Sequence, residues 1–274
     1  MTCFRAISIL MGDLIIEENL QTFLNKHTEL ENVEAIALGG STTASTSDNN
    51  SDIDIYIFSK TGIPLKFREN LIKPNSSKFE IGGEYFGSGD EFILDSINKQ
   101  LDIMYWDMEW FEGVVNNTWV KYYPQNGYTT CFLYTLKNFN IIYDKNNWLH
   151  NLQNSINTPY PKALQENIIK RNLMLMKDKP FASYYEQIQK ALQRNDVTSI
   201  NHRISAFVAS YFDVIFALNE QLHPGEKRLI QFAKANCNKL PKDFEENLLQ
   251  LFKQPNSETL NLLDIIVREL KNII

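Results

Sequence analysis

Leu38–Ser41 (LGGS) and, after ten residues, Asp52–Ile55 (DIDI) form the stretch of sequence that decides the fold. On its two sides, Val33–Leu38 (VEAIAL) and Ile53–Phe58 (IDIYIF) have the β-branched, apolar and aromatic composition of strands. Between them lie two glycines and the polar run Ser45–Ser51, both typical of turns. The stretch therefore predicts a strand, a glycine turn, a polar loop and a second strand.

The same stretch predicts a phosphate and metal site. Asp52 and Asp54 lie two positions apart on a strand, so their side chains share one face, with α-carbons roughly 6.5–7 Å apart. Carboxylates of this kind suit Mg²⁺, a hard ion that prefers oxygen ligands. Glycines after a strand let the backbone approach a phosphate closely, and Ser41 adds a hydroxyl donor. The alternative is a solvated hairpin that Asp48, Asp52 and Asp54 merely decorate.

A third carboxylate often completes such a site, and Asp102 is the candidate. It lies within the apolar run Leu101–Trp106 (LDIMYW), part of a predicted strand over Gln100–Trp106. A carboxylate in such a run is costly unless it is paired or metal-bound. Asp107 is the rival candidate, but it stands at the end of the strand, where a carboxylate costs little.

The motif resembles that of the DNA polymerase β nucleotidyltransferase superfamily, in which Gly-Gly/Ser precedes Asp-x-Asp/Glu between hydrophobic residues. It is similar to the small antibiotic nucleotidyltransferases that act on kanamycin, streptomycin/spectinomycin and lincosamides. The whole chain resembles a little-characterised bacterial family of nucleotidyltransferase-like proteins in Gly39–Ile55, Gly127–Leu136 and Phe216–Leu229. One departure is Ser45, which stands near a position where relatives usually carry a second glycine, and serine tolerates positive φ less well.

The resemblance implies an α+β fold: a mixed-sheet nucleotidyltransferase domain over residues 1–155, then an all-α helical bundle domain over residues 156–274. It implies a Mg²⁺-dependent enzyme of the EC 2.7.7 type. Such an enzyme moves a nucleoside monophosphate from a nucleoside triphosphate, for example ATP, to a hydroxyl of a small acceptor such as an antibiotic. Two Mg²⁺ ions, or Mn²⁺ in their place, would bridge the carboxylates and the triphosphate.

The resemblance also assigns roles to residues. Asp52 and Asp54 would bind both metals, and Asp102 would bind the activating metal or take the proton of the acceptor. Gly39, Gly40 and Ser41 would contact the nucleotide. Lys227, in His223–Arg228 (HPGEKR), would also contact it, because a lysine at a similar turn of the antibiotic enzymes contacts the triphosphate. The alternative for Lys227 is a solvated basic helix end.

The remaining elements follow from periodicity. Beyond the linker near residues 151–161, glycine nearly vanishes and apolar residues recur at helical spacing. The predicted helices are 162–177, 181–194, 197–220, 225–237, 242–253 and 258–273, together with short ones ending near Asn25 and over Phe67–Ile72. Ile81–Ser88 is a further predicted strand, and Asp90–Asn98 a turn or helix. Asp213 either binds a cationic substrate or is a satisfied polar residue between helices, and Lys170-Arg171 is expected on a helix surface.

Composition bounds the remaining expectations. The chain has 274 residues, of which 43% are hydrophobic, and a net charge of -6, which disfavours a nucleic-acid partner. Three widely spaced cysteines and the lack of a membrane span or signal peptide predict a cytoplasmic protein with reduced thiols. The protein is expected to be a monomer or a homodimer. Transfer to tRNA or to a protein, and a catalytically silent nucleotide-binding or interaction protein, are the alternative functions.

Overall fold

The computed structural model describes residues 18–40, 52–85, 87–253 and 258–274. Ser41, Ser45 and Asp48 therefore lie outside the described residues. The chain forms two compact units, one from the described residues of 1–108 with Asn140–Trp148, the other from Glu109–Phe139 with Leu149–Ile274. The expected division is a single boundary after residue 155. In the structure the chain passes from the first unit to the second, returns for Asn140–Trp148 and then enters the second unit again.

A six-stranded mixed sheet is the centre of the first unit. Its spatial order is β3-β4-β5-β2-β1-β6, and the neighbours β2 and β5 are parallel while the other pairs are antiparallel. The strands are β1 (Val33–Gly39), β2 (Ile53–Ser59), β3 (Phe79–Gly83), β4 (Gly89–Leu94), β5 (Lys99–Asp107) and β6 (Asn140–Asp144). Two helices belong to this unit, α1 (Glu18–Asn25) and α2 (Leu65–Ile72).

One face of the sheet is apolar and packs against these helices. Ile55 and Ile57 on β2 and Ile103 on β5 are completely buried in one core with Phe23 of α1 and Ile72 of α2. Since side chains alternate along a strand, this packing turns the residues at even positions of β2 and β5 toward the opposite face. The β2 isoleucines therefore point into this core, and their direction fixes which side chains the other face presents.

Two predictions about the middle of this unit are wrong. The expected strand Ile81–Ser88 overlaps only the end of β3 (Phe79–Gly83), and the expected turn or helix Asp90–Asn98 is largely strand β4 (Gly89–Leu94). The reason is a buried network outside any local pattern. Arg68 Nε donates to Asp90 Oδ2 at 2.8 Å, and Tyr105 Oη donates to the same oxygen at 2.8 Å. These partners neutralise Asp90, so this acidic residue is tolerated inside a strand.

The second unit is helical. Its helices are α3 (Met108–Val115), α4 (Cys131–Lys137), α5 (Trp148–Ser155), α6 (Lys162–Leu173), α7 (Tyr184–Gln193), α8 (Val197–Leu218), α9 (Leu229–Asn236), α10 (Phe244–Leu251) and α11 (Thr259–Lys271). Six of them correspond to the six helices expected after residue 161. A mixed sheet followed by these helices confirms the predicted α+β fold class. Across the described ranges, no helix is both long and apolar enough to cross a lipid bilayer.

Helix α8 is the core of this unit. From Phe207 to Leu218 every one of its residues is buried, because α6 and α7 pack along it and α10 and α11 contribute to the same core. Asp196 begins the helix by accepting a hydrogen bond from the Ser199 backbone N–H at 3.0 Å, as the predicted helix start requires.

Candidate active site

Asp54 and Asp102 face each other across the parallel pair of strands β2 and β5, where they are register partners. Neighbouring strands lie about 4.8 Å apart, and opposite residues project to the same side of the sheet. Both side chains are half-buried on the face away from α1 and α2. The structure therefore brings together two of the three predicted carboxylates, on the sheet rather than on loops.

Acidic residues continue this row toward the edge of the sheet. Glu91 on β4 is the register partner of Asp102, and Glu80 on β3 is the partner of Glu91. Four neighbouring strands thus present Glu80, Glu91, Asp102 and Asp54 in one line. Like charges directly opposite each other destabilise a sheet, so such a line needs water or a cation to be tolerated. Glu91 was not predicted from the sequence, although its position beside the apolar Phe92 and Leu94 of an alternating strand could have indicated it.

The electrostatics of Asp102 reflect this surrounding. Burial raises its pKa to about 6, and the negative charges of Glu91, Asp54 and Asp52 act in the same direction. Tyr56, two residues after Asp54 on β2, is nearly buried beside them. Its pKa is raised by burial and then by Asp54 and Asp102. Its phenol therefore stays neutral, and the face carries net negative charge.

Gly40 lies so close to Asp54 that any larger residue at this position would be strained. Its neighbour Gly39 is the register partner of Asp54 on the antiparallel strand β1. A Cβ built on Gly40 would overlap the Asp54 carboxylate, and the φ of Gly40 is +69°, in the left-handed region that favours glycine. The backbone at Gly40 therefore runs directly beside the Asp54 carboxylate.

Two other candidates take different places. Asp52 is exposed and precedes β2, close enough to Asp102 to act on its pKa. Asp107 ends β5 opposite Ser59, five residues beyond Asp102, so alternation turns it to the other face. The structure favours Asp102 over Asp107 as the partner of Asp54.

The two carboxylates fit Mg²⁺ as part of its coordination, not as a complete set of ligands. Among the described residues, no group of three or more His, Cys, Asp or Glu side chains is spaced to hold a metal ion. Mg²⁺ is usually bound by one or two carboxylates together with substrate phosphates and water, not by a complete protein cage. The cross-strand pair Asp54 and Asp102 matches that smaller requirement. The negative charges of Glu91 and Asp52, which raise the pKa of Asp102, also favour a cation there.

Lys227 and Asp213 belong to the helical unit. Lys227 is exposed in the turn that precedes α9. Asp213 is almost fully buried in α8, where its Oδ1 accepts from the Thr129 N–H at 2.9 Å and its Oδ2 from Thr129 Oγ1 at 2.6 Å and Asn172 Nδ2 at 3.0 Å. These bonds support the second alternative for Asp213, a satisfied polar residue between helices.

A family model described as a domain of unknown function (DUF4037) matches residues 128–229, less than half of the chain. The matched range begins within Gly127–Leu136 and ends with Phe216–Leu229, two of the segments that carry the resemblance to the little-characterised bacterial family. None of the curated proteins matches the chain.

Several solved structures are similar to the chain. A nucleotidyltransferase-like protein from Exiguobacterium sibiricum is 8% identical over 94% of this chain and 74% of its own, with a TM-score of 0.47. The CCA-adding enzyme of Thermotoga maritima in complex with tRNA is 11% identical over 92% and 80%, with a TM-score of 0.27. The spectinomycin adenyltransferase of Enterococcus faecialis with ATP and spectinomycin is 16% identical over 91% and 98%, with a TM-score of 0.26.

Proposed function

We propose that this protein is a Mg²⁺-dependent nucleotidyltransferase that moves a nucleoside monophosphate from a nucleoside triphosphate to a hydroxyl of a small acceptor. The observation that carries the proposal is the Asp54–Asp102 pair on adjacent parallel strands with Gly40 packed against Asp54. A carboxylate pair beside a left-handed glycine turn provides oxygens for a cation and a close approach for a phosphate.

The residues have separate tasks in this proposal. Asp54 and Asp102, with Asp52 at the start of the strand, hold Mg²⁺, and Gly39-Gly40 brings the backbone up to the triphosphate. Bound Mg²⁺ supplies charge neutralisation of the triphosphate and of the departing pyrophosphate. Asp102 either shares in metal binding or accepts the proton of the acceptor hydroxyl, which lets the oxygen attack the α-phosphorus. Lys227 supplies a further positive charge to the triphosphate.

Calorimetry with ATP, GTP, CTP and UTP, each with and without Mg²⁺, tests the nucleotide and metal requirements together. We expect Mg²⁺ to add a binding event for at least one nucleotide, and Asp54→Asn to remove that Mg²⁺-dependent event. Nucleotide binding that neither Mg²⁺ nor Asp54→Asn changes would leave the silent nucleotide-binding alternative.

Acceptor use is tested separately by mass spectrometry. Hydroxylated antibiotics, bulk tRNA and the protein itself are incubated with the nucleotide that binds. The proposal expects a small molecule to gain the mass of one nucleoside monophosphate, whereas labelled tRNA or protein would support the alternative targets. Lys227→Ala should weaken nucleotide binding more than acceptor binding. Lys239→Ala, an exposed lysine of the same unit, is its control.

A further inference from the structure

A basic pocket lies within the helical unit and has no task in the proposed transfer. Its cavity has a volume of about 680 Å³, within the size range of small-molecule sites. Four of its lining residues are cations, Lys121, Lys170, Arg171 and Lys179, and none of its lining residues in the described ranges is acidic. The chain has a net charge of -6, so this pocket has the opposite sign to the protein as a whole.

These cations lack acidic partners, although residues beside them have such partners. Lys177 forms an ion pair with Asp264, and Lys271 Nζ donates to Asp178 Oδ1 at 2.6 Å. Lys179 comes next in the chain, and like the other three cations it forms no ion pair with any described carboxylate. Asp264 and Asp178 are thus already paired with other lysines, and the mutual repulsion of the four cations favours a bound anion.

Hydrogen bonds hold one wall of the pocket in place. Asn167 and Arg171 lie four residues apart on α6 and so share a face of the helix. Asn167 Nδ2 donates to the Tyr122 carbonyl at 3.0 Å, and Arg171 Nε donates to Asn126 Oδ1 at 2.8 Å. The second bond fixes the guanidinium through Nε and leaves its two terminal nitrogens without a partner among the described residues. Those two donors are oriented before any ligand binds.

Unusual backbone surrounds the pocket as well. The π-helical turn Asn116–Val120 leads directly into Lys121, and the π-helical turn Met174–Asp178 leads directly into Lys179. Such turns are rare and occur frequently at functional sites. Tyr122 has a φ of +59°, an outlying value for a bulky residue, and strain of this kind also concentrates at binding sites.

Aromatic surface beside the cations identifies the ligand further. Tyr123 is 58% exposed and lines the pocket, next to the partly buried Tyr122. Positive charge for phosphates together with an exposed ring for a base is the combination by which proteins hold single-stranded nucleic acid. We propose that this pocket binds a nucleotide, with its phosphates on Lys170, Arg171 and Lys179 and its base stacked on Tyr123. The nucleotide is either free or part of an RNA strand.

Fluorescence anisotropy on the full chain tests this site apart from the proposed transfer. The probes are a labelled short single-stranded RNA and a ribose-labelled ADP, both in EDTA, so that no metal occupies the carboxylate site. The double variant Lys170→Glu/Lys179→Glu should weaken binding at least about tenfold, because phosphate contacts dominate such affinities. The matched double variant Lys190→Glu/Lys239→Glu has the same net charge and changes exposed lysines outside the pocket. It should weaken binding less than about threefold, since distant exposed charges are screened.

Further variants identify the stacking and the source of the nucleotide. Tyr123→Ala should weaken binding, whereas Tyr123→Phe should bind as the wild type does, because a phenyl ring stacks without the hydroxyl. Tighter binding of RNA than of ADP assigns the site to an RNA strand, and the reverse assigns it to a free nucleotide. Asp54→Asn should leave this binding unchanged, which separates its outcome from that of the transfer. Binding of neither probe, or equal losses in the two double variants, overturns the proposal.

Discussion

Asp54 on β2 lies directly opposite Asp102 on the parallel strand β5, and Gly40 packs against the Asp54 carboxylate from the other side. The pair puts two negative charges at neighbouring positions of a sheet, which costs folding free energy unless a cation or water compensates it. The glycine determines how close the preceding turn comes to that pair. Three positions of the sequence therefore define one small site, and each can be changed separately.

Gly40→Ala should abolish nucleotide transfer while the protein stays folded. A methyl group at this position overlaps the Asp54 carboxylate, so either the turn or the carboxylate must move, and displacement of a catalytic group by about 1 Å costs roughly a hundredfold in rate. Steady-state kinetics measures the loss. Gly62→Ala is the control, since its Cβ would meet no atom within 4 Å, and an equal loss there would contradict the role of Gly40.

Asp54→Asn should leave the stability of the metal-free protein unchanged or raise it, by up to about 1 kcal/mol, because it removes a like-charge contact with Asp102. Mg²⁺ should raise the melting temperature of the wild type and have less effect on the variant. Thermal unfolding with and without Mg²⁺ gives both numbers. Glu166→Gln makes the same charge change on an exposed helix position and serves as the control. An equal Mg²⁺ effect on Asp54→Asn and the wild type would place the metal elsewhere.

Asp213→Ala should lower the free energy of unfolding by about 3 kcal/mol. The change leaves the N–H and the hydroxyl of Thr129 buried without their acceptor, and each buried unsatisfied group costs about 1–3 kcal/mol. Asp196→Ala, which removes an exposed helix cap, should lower the free energy of unfolding clearly less than Asp213→Ala does. Urea unfolding compares the two variants. Equal losses would mean that Asp213 is not an anchor for the segment around Thr129.

The main carboxylates of the site could be predicted because their evidence is local in sequence. The alternation of Asp54 with isoleucines and the position of Asp102 inside an apolar run each indicate a strand-borne carboxylate. The glycines before the loop indicate the turn. The parallel pairing that makes Asp54 and Asp102 register partners is not local. It follows from the topology of the whole sheet. The resemblance to a known superfamily grouped Asp102 with Asp54 but did not give the pairing of their strands.

Glu91 and strand β4 were not predicted, because the contacts that form this strand come from residues distant in sequence. Gly89 and Asp90 are residue types typical of turns, and nothing near them in sequence indicates that Asp90 is buried. Its partners are Arg68 and Tyr105, which are 22 and 15 residues away. A carboxylate that a distant guanidinium and phenol neutralise behaves as a core residue, so local propensity gives the wrong element. The same limit applies to the basic pocket, whose cations come from separate segments of the helical unit.

His27 should give the protein a distinct pH dependence of stability. Burial lowers its pKa from 6.5 to about 4, among the rings of Phe23 and Phe67 at 5.7 and 5.5 Å. The folded state therefore keeps His27 neutral between these pH values while the unfolded state takes up a proton, so the contribution of His27 falls as pH falls through this window. The raised pKa values of Asp102 and Asp213, both about 6, act in the opposite direction and mask this effect in the wild type. Asp102 and Asp213 contribute equally to both proteins, so their contribution drops out when the free energy of unfolding of the wild type is subtracted from that of His27→Phe. The free energy of unfolding of His27→Phe minus that of the wild type should rise by about 1.4 kcal/mol for each pH unit from 6.5 down to 4. Urea unfolding of both proteins at several pH values measures it, and a difference independent of pH would show that His27 titrates normally in the folded state.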